Sequence, residues 1–238
     1  MNCYFITGSS RGLGKSLVQE LLKNNNNVIY GLSRTNPINE DAFYYIHIDL
    51  SDIDAVKSFR FPEVKEIDKL ILINNAGVIG NIASVGHKIS ESIVNTFNIN
   101  VVAPSLLINQ FINQYQNFEG EKIIINISSG AGRHSISSWA DYCASKSALD
   151  MFSLVVADEQ KEQKYPIKIL SIAPGVLDSQ MQDEIRLVNK NDFPQLEYFV
   201  NLKKEGLLSS TEEVAVKLLN LINDLDQQMD VLMDVRDS

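Results

Sequence analysis

Tyr142 and Lys146, in the stretch Tyr142-Cys143-Ala144-Ser145-Lys146, are the residues best able to do chemistry in this chain. Side chains at this spacing on a helix share one face. A lysine cation beside a phenol favours the phenolate and lowers its pKa from about 10. Ser129, a short way upstream, adds a hydroxyl that can hold a carbonyl oxygen. A phenol, an ammonium and a hydroxyl together make a proton-donating site for a carbonyl. At the N-terminus stands Thr7-Gly8-Ser9-Ser10-Arg11-Gly12-Leu13-Gly14, with glycines spaced G-x-x-x-G-x-G. Glycines let the backbone approach a pyrophosphate, and the N-terminus of the helix that follows favours the anion. The same residues would also suit a plain tight turn.

The elements that must position these groups alternate. Tyr4–Ile6, Val28–Tyr30, Tyr44–Ile48, Leu70–Ile73, Ile123–Ile127, Ile167–Ile172 and Val231–Val235 read as strands. Leu70–Ile73 is apolar throughout, as a strand covered on both faces should be. Leu13, Leu17, Leu21 and Leu22 fall at helical spacing, and further helices are expected over about 88–98, 101–116, 140–163 and 211–224. Such alternation implies a parallel sheet with right-handed crossovers, with ligands at the carboxyl ends of its strands. The notable turns, Gly8–Gly14, Ser33-Arg34, Asp49, Asn74–Gly77, Ser128-Ser129 and Pro174-Gly175, all follow strands at that edge.

Composition narrows the partners. The 238 residues are 45% hydrophobic, with no linker, repeat or low-complexity tract, so one domain over 1–238 is expected. A net charge of −9 argues against nucleic acid or an anionic membrane surface. No apolar run is long enough to span a bilayer, and no signal peptide is evident. Two cysteines, Cys3 and Cys143, make no disulfide framework, which points to a reduced, cytoplasmic setting. The three histidines lack metal-ligand spacing, so no metal is expected.

The Thr7–Gly14 segment, Asn74-Asn75-Ala76-Gly77, Asn100, Ser129, Tyr142 with Lys146, and Pro174-Gly175, in this order, resemble the short-chain dehydrogenase/reductase family over almost the whole chain. The resemblance implies a Rossmann-type, doubly wound, seven-stranded parallel sheet with helices on both faces. It implies NAD(H) or NADP(H), and a catalytic set that falls here on Asn100, Ser129, Tyr142 and Lys146. It also places Gly8, Ser10, Arg11, Gly12, Leu13 and Gly14 on the cofactor, with Ser33, Arg34, Asp49, Leu50, Asn75, Ala76 and Gly77. Tyr142, Lys146, Pro174, Gly175, Leu177 and Ser179 complete that cofactor set. Asn75 is set against the ribose and neighbouring backbone, and Asp49 at the adenine edge. In the implied mechanism Lys146 holds the ribose hydroxyls and Asn100 orders a water that leads to solvent.

Each assignment has a competitor. Ser128 adjoins Ser129 and reads as a backbone-bonding neighbour; Asn98 reads as a cap or surface residue beside Asn100. Cys143 suits helix packing better than nucleophilic attack. His134 and Trp139 line a substrate mouth or an ordinary loop.

Charge selects the cofactor. An acid after the second strand would bind a 2′-hydroxyl and repel a 2′-phosphate. Here the strand ends Gly31-Leu32-Ser33-Arg34. Arg34 can pair with a phosphate, Ser33 can donate to it, and Arg11 can reach the same region, so NADP(H) is expected.

Ala173 to Gln182 and Asn201 to Leu208 resemble the branch holding sepiapterin and benzil reductases. That likeness implies a dicarbonyl or α-hydroxyketone substrate and a substrate lid over 178–208, with Ser129, Trp139, Tyr142 and Met181 as substrate contacts. Leu177, Met181, Ile185, Leu187 and Val188 give the lid an apolar set, and helical spacing would turn Leu177, Met181 and Ile185 one way. Asp237, with Asp234 competing, matches an aspartate that holds a pterin in sepiapterin reductases. Family members commonly pair helices 101–116 and 140–163 across a two-fold, so a homodimer is expected.

Overall fold

Each long strand carries apolar side chains on both faces, and so demands cover on both sides. In the computed structural model, which describes residues 1–225 and 230–237 (Asp237 by its backbone alone), helices supply that cover on both faces, and the described residues form eight α-helices in all. The strands are β1 (Asn2–Thr7), β2 (Asn27–Ser33), β3 (Phe43–His47), β4 (Lys69–Asn74), β5 (Glu121–Ile127), β6 (Lys168–Ala173) and β7 (Leu232–Asp234). They form one sheet in the order β3-β2-β1-β4-β5-β6-β7, and every pairing is parallel. The helices are α1 (Gly12–Leu21), α2 (Ile53–Ser58), α3 (Ser90–Phe97), α4 (Ala103–Tyr115), α5 (Ala140–Gln160), α6 (Gln180–Arg186), α7 (Leu196–Lys204) and α8 (Thr211–Asn223).

The period-two alternation of a strand divides the core in two. Tyr4, Ile6, Ile71 and Ile73 point into one layer, packed with Leu17 of α1 and Leu218 of α8. Cys3, Phe5, Leu70 and Leu72 point into the other, with Leu107 and Phe111 of α4 and Val156 of α5. Strand order reverses between β1 and β4, and the crevice that such a reversal opens lies at their carboxyl ends.

Three local features differ from the sequence expectation. Helix α2 was not expected; Asp52 caps it, accepting from Asp54 N and Ala55 N. The helices expected over 88–98 and 101–116 are not separated by a loop. Residues Asn98–Val102 form a turn of π-helix that joins α3 directly to α4. The seventh strand shrinks to Leu232–Asp234, because Val235–Asp237 turn into a 3-10 helix. No helix among the described residues is long and apolar enough to cross a membrane.

Candidate active site

The glycine turn leaves β1 under tight steric control. Gly8 and Gly12 have φ of +67° and +52°, which side chains rarely tolerate. At Gly14 the constraint is space, since a Cβ there would lie 2.3 Å from Gly8 O and 2.5 Å from Asn75 Nδ2. Asn75 holds the turn shut by donating from Nδ2 to Thr7 O (2.9 Å) and Gly8 O (3.3 Å). Thr7 Oγ1 in turn accepts from Asn75 N and Ala76 N, each at 3.0 Å. The Asn75 amide is thus spent on the glycine turn, the backbone half of its expected role.

One wall of the crevice is built by β5 and α5. Tyr142 and Lys146 share the buried face of α5, and Lys146 Nζ lies 5.9 Å from the centre of the Tyr142 ring. The ammonium donates to Ile127 O at 2.8 Å. Ser129 stands at the end of β5 in extended backbone and accepts from Ala131 N at 3.1 Å. Asn100 lies in the π-helical turn, the kind of bulge often met at functional sites. Its side chain accepts from Val78 N at 2.9 Å and donates to Val78 O at 2.8 Å and to Ser145 Oγ at 3.1 Å. Gly77 leaves room between these groups: a Cβ there would lie 3.4 Å from Asn100 Oδ1 and 3.5 Å from Lys146 Nζ. Ser128 bonds through its backbone to Ile172 O, but its buried hydroxyl has no hydrogen-bond partner.

The electrostatics of the pair depart from the sequence expectation. Burial raises the Tyr142 pKa above its ordinary value, and a hydrogen bond with Ser129 opposes that rise. Burial also draws Lys146 down to about 8, against the pull of the Asp150 carboxylate. Desolvation disfavours both charged forms, so the phenol keeps its proton near neutral pH.

The same crevice, about 530 Å³, runs from the glycine turn past Ser33, Arg34, Asp49 and Leu50 to Ser129, Tyr142 and Pro174. Ser10, Arg11, Leu13, Ala76, Gly175, Leu177, Ser179 and Met181 also line it. The hydroxyl of Ser33 is already committed, donating to Thr35 O at 2.8 Å. The Arg11 guanidinium donates to Gln180 Oε1 at the start of α6. Asp49 accepts from Ser51 N and Oγ, and this holds its carboxyl below the usual range, helped by the charge of Arg34.

Residues 178–208 carry α6 and α7 over the crevice. Met181 and Ile185 meet an apolar cluster of Ile79, Trp139, Tyr142, Phe193 and Phe199. The Trp139 indole stacks on Phe193 at 5.4 Å and meets the Tyr142 ring edge-on at 5.6 Å. Its buried N–H has no acceptor. Leu177 precedes α6 and packs with the α8 side of the core, so helical spacing does not place it with Met181 and Ile185. Leu187, counted with the apolar lid set, is 85% exposed and points away. Val188 packs on the Trp139 cluster, as does Cys143, whose thiol burial pushes its pKa up. His134 is exposed at the rim. At the far end Asp234 lines the crevice and accepts from Arg236, while the Asp237 side chain lies outside the described residues.

Two buried carboxylates of α5, Asp141 and Asp150, are not among the residues the sequence singles out. Lys88 and Asp141 form a buried ion pair, with Nζ 2.6 Å from Oδ1 and side chains 4% and 2% exposed. Asp150, also buried, accepts from Ser171 Oγ at 2.6 Å. The available signal was periodicity, because Asp150 continues the Tyr142–Lys146 spacing along one face of α5. No group of three His, Cys, Asp or Glu among the described residues could hold a metal ion.

Comparison with known proteins agrees with this architecture. Residues 2–190 match the family model described as short chain dehydrogenase. The chain is 36% identical over 236 residues to a benzil reductase ((S)-benzoin forming) of Bacillus cereus, covering 93% of this chain and 94% of that protein. It is 28% identical over 239 residues to the sepiapterin reductase of Xenopus tropicalis, covering 91% and 89%. Among solved structures, a short chain dehydrogenase/reductase of Saccharomyces cerevisiae superposes with a TM-score of 0.86 at 26% identity, covering 99% and 96%. A seven-stranded parallel sheet, a glycine turn at its strand-order reversal and a family match across most of the length have one reading: the chain is an oxidoreductase that belongs to the short chain dehydrogenase family.

Proposed function

We propose that the protein is an NADPH-dependent carbonyl reductase acting on a vicinal dicarbonyl. The observation that carries this reading is the meeting of Ser129, Tyr142 and Lys146 on the wall of the crevice that begins at the glycine turn. The residues present fit a dinucleotide. Gly8, Gly12 and Gly14 leave the turn without side-chain bulk, and the N-terminus of α1 faces the same crevice. When bound, the reduced nicotinamide supplies the hydride. Ser129 and Tyr142 hold the substrate oxygen by hydrogen bonds. Tyr142, kept protonated by burial, gives its proton to that oxygen as negative charge grows there. Lys146 offers a cation to the ribose hydroxyls and to the phenolate left behind. Asn100, bonded to both Val78 and Ser145, braces the loop after β4 against α5.

The substrate side favours a flat apolar flank. Ile79, Trp139, Met181, Ile185 and Phe199 line the crevice next to Tyr142. Likeness to a benzil reductase supports an aryl dicarbonyl, whose second carbonyl makes the first more electrophilic. The test is NADPH oxidation with benzil and with 1-phenyl-1,2-propanedione. Turnover of both, far above that of a simple monoketone, is expected. Turnover of monoketones or sugars with neither diketone would overturn the dicarbonyl assignment. Sepiapterin turnover abolished by Asp234→Ala would instead favour a pterin.

Arg34 supports the choice of NADP(H). With Arg11 engaged by Gln180 and Ser33 by Thr35, Arg34 is the residue at this end of the crevice left to meet a 2′-phosphate. Arg34→Asp is expected to weaken NADPH binding by about 1.5–3 kcal/mol, the worth of a charged hydrogen bond, and to leave NADH binding nearly unchanged. Equal wild-type affinity for the two cofactors, measured by fluorescence titration, would remove the assignment.

Assembly and setting belong to the same reading. Met151 and Val155 on α5 are 60% and 48% exposed, an apolar surface that supports two-fold pairing of α4 and α5 in a homodimer. Both cysteines are free thiols, which supports a cytoplasmic setting.

A further inference from the structure

We propose that Asp150 is the counter-ion that keeps Lys146 charged in its buried position, and that it sets the pH range over which the site works. The inference rests on the role given to Lys146 above. Asp150 is a positioning residue, acting through the lysine and not on the substrate.

The geometry starts with α5. Tyr142, Lys146 and Asp150 follow one another at four-residue spacing, and all are buried, at 7%, 4% and 4% exposure. Side chains so spaced are neighbours on a helix surface. Their head groups then land on adjoining strands. Lys146 Nζ reaches Ile127 O of β5, and Asp150 Oδ1 accepts from Ser171 Oγ of β6. In the sheet register Ile127 pairs with Ile172, the residue after Ser171, and paired strands lie about 4.8 Å apart. A buried cation and a buried carboxylate thus sit one strand and one residue apart, out of direct contact. Opposite charges at such a separation within a protein attract more strongly than they would in water.

The other charges around the pair are few. Arg133, behind the 3-10 turn Gly130–Gly132, brings Nε to 3.5 Å from Asp150 Oδ2 and spends Nη2 on Ser171 O and Met233 O. Asp234 of β7 lies on the far side of Arg133, paired with Arg236. Tyr142 faces the lysine from its own helix as a neutral phenol. Arg133 therefore competes with Lys146 for the same carboxylate, and Asp150 is the anion that faces Lys146 from within the fold.

A competing account makes Asp150 a tie between α5, β6 and β7, through Ser171 and Arg133. Asp150→Asn separates the two. The amide has the same shape and can still accept from Ser171 and Arg133, but carries no charge. With Asp150 in place burial already draws the lysine down to about 8; without that counter-ion it falls further. Lys146 is a cation below its pKa and is lost as a cation when pH rises through it. NADPH affinity and kcat/KM should both decline on that alkaline limb.

The experiment measures the NADPH dissociation constant by fluorescence titration, and kcat/KM for benzil, from about pH 6 to about pH 9. In Asp150→Asn the alkaline limb of both is expected to move down by roughly one pH unit, the lower end of what one nearby charge does. Asp150→Glu should restore it toward the wild type. A smaller amplitude with an unmoved limb would make Asp150 a structural tie and overturn the proposal. If Asp150→Asn does not fold, Arg133→Gln carries the test. Losing the competing cation should move the limb up, and an unmoved limb again overturns the proposal. Failure of the underlying reading looks different: Lys146→Ala would then turn over normally at every pH.

Discussion

The Tyr142→Phe variant should bind NADPH as the wild type does and lose about 100- to 10,000-fold in kcat, the range of a single general acid. The substitution removes one oxygen and keeps the ring. The edge-on contact with Trp139 at 5.6 Å and the packing against Ile79 and Phe199 therefore remain. What disappears is the proton donor and the hydrogen bond shared with Ser129. Ser129 alone can still hold the substrate oxygen, but a serine hydroxyl is a far weaker acid. Stopped-flow mixing of the NADPH complex with benzil would show a slowed single turnover with unchanged cofactor affinity. A variant with near-normal kcat would move the proton donor elsewhere and take the proposed mechanism with it.

The second large effect lies outside the reacting groups. Lys88→Met should destabilise the fold by about 3–5 kcal/mol, since it leaves a buried carboxylate unpaired. Asp141, one residue before Tyr142, is 2% exposed at its side chain, and Lys88 at 4% is its cation. The same ammonium donates to Asn81 O at 2.5 Å, so its loss also frees a carbonyl. Gly80, at φ +74°, packs so close that a Cβ would sit 3.0 Å from Asp141 Oδ2, leaving little space for a water to replace the amine. The double variant Lys88→Met/Asp141→Leu should recover most of the loss, because a buried ion pair often exchanges for apolar side chains at little cost. Urea denaturation measures both. Wild-type stability in Lys88→Met would mean that Asp141 finds water or takes up a proton.

The contrast between these two residues shows what was legible in the sequence. The glycine turn and the Ser129, Tyr142 and Lys146 positions were readable because their spacing is local and each sits at the end of a strand or on one helix face. The sheet was readable because β1, β4 and β5 are apolar on both faces. Lys88 and Asp141 were not, since their pairing depends on how the loop after β4 folds back on α5. Phe193 and Phe199 escaped for a similar reason: they follow no helical period with Met181, yet meet Trp139 from a different part of the lid. The effect of burial on Tyr142 and Lys146 was not legible, because spacing shows a neighbouring charge and not how deeply both groups are covered. Arg11 lines the crevice as its place in the glycine turn suggests, and its contact with Gln180, far along the chain, was not legible because it depends on where α6 folds. Leu187 was grouped with its neighbours by composition, and the end of α6 leaves it outside.

Trp139 is the one tryptophan in the chain. Its indole lies between the lid phenylalanines and the Tyr142 ring, so with excitation at the red edge, where tyrosine does not absorb, its emission reports on this one place. The protein thus contains its own optical gauge of the lid. Quenching, spectral shift and energy transfer to a bound reduced nicotinamide would all be read from a single fluorophore, with no label attached and no residue replaced.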